Sequence, residues 1–439
     1  MKFEVVHVGF LALAGFTVFT AGCGRGKAPP ASAIRATDAS LASLETQVTP
    51  PEGAFASWRN IDQDGREPDR DVPTSWSADE GVVWKADIPG SGHSSPIIWD
   101  DHVFLTTADP SEQTQSVLAI DKASGNQLWK TVVHSGDLPR MHKKNTHASS
   151  TPACDGVHVY AAFIHGESLF VTACDFQGNR VWQREVGPFE SEHGYGSSVV
   201  LWKGLLFVCG DSPGNGYLAA LVRDSGEILW RTPREGAGIH GNYATPLVAE
   251  LAGRPQLVHS GYGRVVSYDP ASGEELWRCD GPAEVMANTI VARDPHVIVS
   301  GGYPEKEILC IAADGEGEVT DSHIVWRADR GVTYVPSPTI LDDVLYSLSD
   351  DGILAAFQMQ DGKRLWQQRL GGNFSASPLV IGETFYVPDE SGEVLVFRVQ
   401  PEYELIAKNR LDDSGGMASI AVSGDQLFIR TSGKLYRVR

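Results

Sequence analysis

The amino-acid sequence predicts an all-β fold, an eight-bladed β-propeller of four-stranded antiparallel blades, and three observations carry that prediction. Seven tryptophans, Trp84, Trp129, Trp182, Trp230, Trp277, Trp326 and Trp366, recur at steps of 45, 53, 48, 47, 49 and 40 residues, and a further 40 leads to Ile406. Several close a shared pattern, clearest from Ala119, Ala220, Ser267 and Ala356, in which a glycine follows six positions on and the tryptophan four after that. Eight small-residue starts precede apolar runs: Ser94-Ser95-Pro96, Ser150-Thr151-Pro152, Ser197-Ser198-Val199, Ala244-Thr245-Pro246, Asn288-Thr289-Ile290, Pro336-Ser337-Pro338, Ala376-Ser377-Pro378 and Ala418-Ser419-Ile420. A period of about 40 to 50 residues with strand-like content is the signature of a propeller.

Within each repeat the small start leads a first strand, where little room is left near the axis. A turn such as Asp100-Asp101 or Asp155-Gly156 brings in a second, alternating strand such as His102–Thr106. A third strand runs to the Ser-Gly turn, and the fourth ends at Trp, expected to lie across the Ala and Gly of the turn just before it and tie one blade to the next. The last repeat, from Met417 to Arg439, holds only three strands, so Val82-Val83-Trp84 is expected to complete it and close the ring. Ile406 stands where the seventh blade should have its tryptophan.

Ahead of the ring, Lys2, the apolar run Val5–Phe19 and the small residues before Cys23 read as a lipoprotein signal peptide over residues 1–22. Residues 23–54 then comprise the lipidated Cys23 and a disordered Ala-, Ser-, Pro- and Thr-rich tether spanning about 30 Å. Residues 55–81 form a lead-in segment and residues 82–439 the propeller. Asn60–Gly65 with Asp71 partly matches a calcium loop, but Pro68 and the lack of flanking helices make it a turn.

With 36 basic against 56 acidic residues the net charge is −20, and no basic run is present, so nucleic acid is excluded as a partner. Export permits disulfides, and Cys154 with Cys174 is the pairing to check; the five cysteines beyond Cys23 otherwise read as small buried hydrophobes.

The Ala-x-Asp-x-x-Ser/Thr-Gly-x-x-x-Trp repeats resemble those of the PQQ-like, quinoprotein-type eight-bladed propellers over about residues 80–439, and with the lipobox the chain resembles their BamB-like lipoprotein branch. That resemblance implies a scaffold for envelope proteins, a monomeric head held to the membrane by its lipid, facing the periplasm. Gly24 after Cys23 favours the outer membrane. The dehydrogenase branch holds its quinone under adjacent cysteines, which this chain lacks, so no PQQ or other cofactor is expected; a metal is left open.

Function is then to be sought in the connecting loops. His93, His147, His193 with Tyr195, and His240 with Tyr243 stand just before four successive blades, and Tyr334 holds the like place in the sixth. Imidazoles meeting at one channel mouth suit a metal or polar ligand, the alternative being that each caps its own turn. The second reading of the chain, a ligand-binding or quinone- or metal-dependent oxidoreductase, would use this mouth. The long connection from Trp129 to Pro152 carries His134, Arg140, His142, Lys143 and Lys144, the one concentrated basic feature, and is the candidate partner-binding loop. Trp58, Trp76, Trp99 and Trp202 lie outside the repeat; binding of envelope polysaccharide through them is a third reading, and packing is the preferred one. No catalytic nucleophile or base is identified.

Overall fold

The computed structural model describes residues 31–35, 46–190, 192–234, 240–400 and 402–439. Cys23 and the segment read as a signal peptide lie outside them. Eight four-stranded antiparallel sheets form the ring. Blades 1 to 7 take residues 97–135, 153–188, 200–234, 247–280, 291–328, 339–369 and 379–410. Blade 8 combines Ala421–Ser423, Gln426–Arg430 and Lys434–Val438 with Val82–Asp87, whose Trp84 pairs with Arg437. The closing strand is therefore the one expected. First strands lie innermost, and those of blades 1 and 8 meet.

The small starts do more than fit a narrow axis. Around the channel the backbone N–H of one start donates to the hydroxyl of the next: Ser95 to Thr151 (2.9 Å), Thr151 to Ser198 (3.1 Å), Ser198 to Thr245 (2.9 Å), Thr289 to Ser337 (3.0 Å), Ser337 to Ser377 (2.9 Å), Ser377 to Ser419 (2.9 Å) and Ser419 back to Ser95 (3.0 Å). These buried amides have no strand partner on the axial side, so a hydroxyl at this position satisfies them. At the eighth station the Thr289 hydroxyl accepts from the indole Nε1 of Trp58 (2.8 Å).

Trp58 belongs to the lead-in segment, which runs through the channel as a plug. Phe55 bridges Ile98 of blade 1, the Ala56 carbonyl accepts from Cys154 of blade 2, and Gln63 bonds Pro246 and Val248 at blade 4. Buried Arg59 donates to the Pro338 carbonyl (2.9 Å), and Arg66–Glu67 pairs in parallel with Val380 and Ile381 of blade 7. The turn read in Asn60–Gly65 is thus a working part of the ring's interior.

The tryptophans tie blades together, but on the turn of the following blade rather than their own, which corrects the expectation. Trp84 lies on Gly125, Trp129 on Gly178, Trp182 on Gly226, Trp230 on Gly273 and Trp326 on Gly362, where an added Cβ would fall 2.5–2.7 Å from ring atoms. Each indole also donates to a carbonyl of that turn, for example Trp129 to Phe176 (2.8 Å). Trp277 and Trp366 face blades 5 and 7, whose turns lack that glycine; Trp277 bonds Gln256 of its own blade instead.

In every blade the register slips by one residue beside the tryptophan position. In blade 7 the slip falls at Ile406, and Ala407, opposite Val396, holds the tryptophan's place. A tryptophan there would have no turn to cover, because blade 8 has no hairpin before its last strand. The other slipped residues are Val83, Leu128, Val181, Leu229, Leu276, Val325 and Leu365, all apolar.

Among the described residues, three outer edges are occupied by other parts of the chain. Ile34 bridges Arg231 of blade 3, Gly317–Glu318 pairs in parallel with Trp277 and Arg278 of blade 4, and Asn409 of blade 7 bonds the backbones of Thr74 and Trp76. Part of the segment read as a tether, 31–35, is thus laid on a blade, and the acidic stretch 314–318 of blade 5 supplies an edge strand to blade 4. All five cysteines in the ring are buried free thiols, so Cys154 and Cys174 are not paired.

Candidate functional site

On the face opposite the plug, the connectors between blades surround a cavity of about 530 Å³. That size suits a small ligand, for which pockets of about 300–1,000 Å³ are usual. Its floor is half-buried Trp58 with the hydroxyl side chains of Thr151, Ser198, Thr245 and Thr289. Its sides combine apolar and aromatic residues, Tyr243, Val285, Tyr303, Tyr334 and Met417, with polar ones, His142, Lys144, Glu192, His193 and His240.

The polar residues are held by cross-blade bonds. Glu192 Oε2 lies 3.2 Å from His240 Nδ1 and 3.6 Å from His193 Nδ1. His193 Nδ1 is also 3.0 Å from the Tyr243 hydroxyl. The His142 amide donates to the His193 carbonyl (3.1 Å), and Asn145 bonds the same carbonyl (2.9 Å), so two connectors are locked side by side. Lys144 pairs with Glu390 of blade 7 at 3.0 Å, across the mouth. In the neighbouring connector, burial and then the charge of Arg430 push the His93 imidazole down to about 4, so it is neutral at pH 7.

Of the seven mouth residues expected, His93, His193, His240, Tyr243 and Tyr334 line the cavity, and His147 and Tyr195 do not. His147 turns away, its Nε2 2.9 Å from the Pro139 carbonyl, and Tyr195 is buried with its hydroxyl donating to the Cys209 carbonyl (3.0 Å). These two follow the reading in which a residue caps its own surroundings. Of the candidate partner loop, His142 and Lys144 face the cavity, while Arg140 and Lys143 are exposed. His134 is no loop residue: it ends the fourth strand of blade 1, buried against His165 with ring centroids 4.5 Å apart, and burial with His165 pushes it down to about 4. Trp76 and Trp99 are core residues, as expected of packing aromatics, whereas Trp58 lines the site.

Beneath the mouth lies a second polar group, wholly buried. His259 Nε2 stands 3.0 Å from Cys209 Sγ and 3.2 Å from Asp211 Oδ2, and Arg234 Nε meets both oxygens of Asp211 at 3.0 and 3.1 Å. Burial pushes the carboxyl of Asp211 up, but Arg234 and His259 outweigh it and hold it ionised. Burial and Arg234 push His259 down, to neutral. Cys209, Asp211 and His259 have donor types that suit zinc, but among the described residues no fourth ligand joins these three, and Arg234 already neutralises the carboxylate. The group is a structural ion pair that supports the connector carrying Asn242, whose amide donates to the Asp211 carbonyl (3.0 Å).

Sequence reasoning missed Glu192 and Trp58. Glu192 could have been found from its place beside His193; Trp58 carried no signal, since nothing in the lead-in indicates that it re-enters the ring.

The profile of a family described as outer membrane protein assembly factor BamB matches residues 69–214 and 214–439. Among curated proteins, outer membrane protein assembly factor BamB of Shewanella oneidensis is 26% identical over 103 residues; the match spans 23% of this chain and 26% of that relative's length. Among solved structures, BamB from Moraxella catarrhalis superposes with a TM-score of 0.58 at 15% identity, covering 82% of this chain and 99% of that one. Quinohemoprotein alcohol dehydrogenase from Comamonas testosteroni gives 0.61 at 10% identity, covering 91% and 82%. At these identities the two structures share the fold and no more. The family profile covers nearly the whole ring, and on that match the chain belongs to the BamB family of PQQ-like β-propellers.

Proposed function

We propose that the protein is an envelope lipoprotein, anchored through Cys23 and facing the periplasm, whose propeller is a scaffold for envelope proteins, as in outer-membrane protein assembly or a related complex. The observation that carries this reading is the state of the blade edges. Where another part of the chain lies alongside, the slipped apolar residue is covered: Leu229 is 5% exposed, and Leu276 and Ile406 are partly buried. On blades 1, 2, 5, 6 and 8 the equivalents Leu128, Val181, Val325, Leu365 and Val83 are 44–49% exposed. Among the described residues no other segment pairs with these five edges, so each sets strand-edge backbone beside an apolar side chain, the combination an added strand requires. Partners on this reading contribute an extended segment, as residues 31–35 do on blade 3.

The test is to place a photo-crosslinking residue at Leu128, Val181 or Leu365 of the full chain in its native envelope. A discrete protein adduct at one or more open edges, against little at the covered Leu229, is the expected result. Absence of any protein adduct at all three positions, with no partner recovered from solubilised envelopes, sinks the proposal.

A further inference from the structure

We infer that residues 31–35 fasten the head to the membrane edge-on, with the rim of blade 3 towards the bilayer, an inference that rests on the lipoprotein reading above. Ile34 and Arg231 exchange both backbone bonds, each 2.9 Å, along the outer strand of blade 3. Arg231 also clamps the segment with its side chain: Nε donates to the Ser32 carbonyl (2.8 Å) and Nη2 to the Ser32 hydroxyl (3.0 Å). The same guanidinium donates to the Val186 carbonyl of blade 2 and lies over the Tyr217 ring, 5.8 Å from its centre, so two blades hold the clamp. Ala31 is buried on the core shared by blades 2 and 3, and its amide donates to Asn215 Oδ1 (3.2 Å). Main-chain pairing, a charged clamp and a buried side chain thus meet within five residues, as in an added strand rather than a loose leash.

Where this fastening falls along the chain sets its consequence. Phe55, where the plug begins, lies 32 residues after Cys23, and a leash of that length reaches at most about 110 Å. Ala31 lies only 8 residues after Cys23, and that length reaches at most about 29 Å. On the longer leash the head is free to turn any side to the membrane; on the shorter one the rim of blade 3 stays beside it. The residues between, 24–30, include Arg25 and Lys27 and no acid, which suits an anionic bilayer face. Blade 7 lies opposite blade 3 in a ring of eight, so the open edges of blades 6 and 8 that flank it point away from the bilayer, and that of blade 2 lies close to it. Partner strands are then added at blades 6 and 8 in preference to blade 2.

The test uses the full chain, purified from envelopes and reconstituted in vesicles of phosphatidylethanolamine and phosphatidylglycerol that carry an acceptor dye on the headgroup. A fluorescent donor is attached at Ser225→Cys, in the last turn of blade 3, or at Glu402→Cys, in the like turn of blade 7; both positions are exposed, and the five ring cysteines are buried. Energy transfer from Ser225→Cys should exceed that from Glu402→Cys by about twofold or more. Ile34→Pro removes the amide that donates to Arg231, and Arg231→Ala removes the clamp; the double variant should equalise the two positions while its ring amides keep their protection against hydrogen exchange. Equal transfer in the acylated parent overturns the inference, as does an excess at Ser225→Cys that survives the double variant. Mass spectrometry of the same preparation reads acylation of Cys23: an unacylated Cys23 removes the lipoprotein reading and this inference with it, whereas equal transfer from an acylated chain removes the edge-on placement alone.

Discussion

At the level of single residues, the glycine of each repeat does two things at once. It adopts the left-handed conformation that its turn requires, and it leaves its face open to the indole of the previous blade. Gly362 has φ +68° and lies 2.5 Å, by its absent Cβ, from Trp326, whereas Gly371 has φ +78° and meets nothing within 4 Å. Both Gly362→Ala and Gly371→Ala incur the left-handed penalty of roughly 1–2 kcal/mol. Only the first also overpacks, which adds about 1–3 kcal/mol. Urea unfolding should therefore show Gly362→Ala the more destabilising by that margin, and equal midpoints would remove the stacking explanation. The repeat was legible because it combines a turn glycine with an indole at fixed spacing. Its direction was not, since spacing along the chain does not say whether Trp129 covers Gly125 or Gly178. Similarly, Ile406 and Ala407 are neighbours in sequence, and only the slipped register shows which one has the tryptophan's place.

At the level of the element, the inner strands depend on a relay of hydroxyls. Ser198→Ala leaves the buried Thr151 amide without its acceptor, and an unsatisfied buried donor costs about 1–3 kcal/mol. The expected result is a urea midpoint lowered accordingly and restored by Ser198→Thr; a midpoint that does not change would mean that water replaces the hydroxyl. The sequence pointed to these positions for their small size, and their chemistry follows only once eight inner strands are set side by side. The lead-in was the least legible element. Residues 55–67 have no apolar period, because a chain that crosses successive blades inside a channel is held by bonds from Arg59 and Gln63 to ring carbonyls, not by a buried face. The candidate site divided along the same line: five of the seven residues placed just before a blade line one cavity, but the direction of each side chain depends on its own connector. His147 and Tyr195 turned away for that reason.

At the level of the whole molecule, the ring is joined by the pairing of Val82–Asp87 with Lys434–Val438, two segments from opposite ends of the propeller. A closed ring leaves no blade with an unpaired inner face, so the closure supports every blade at once. A chain ending at Lys434 should lose protection against hydrogen exchange in Val82–Asp87 and Gln426–Arg430 before the remaining blades, and should unfold at lower urea. Retained protection in both segments would show that blade 8 holds without its closing pair. This closure was legible from counting strands alone. A ring of eight near-equal blades has no preferred bearing around its axis, and a ligand at its centre would meet much the same surroundings at each of eight rotations. The indole of Trp58, seated on the Thr289 hydroxyl alone, removes that equivalence. It turns a tube into a cup with a front and a back, so whatever enters the mouth meets different surroundings at each bearing.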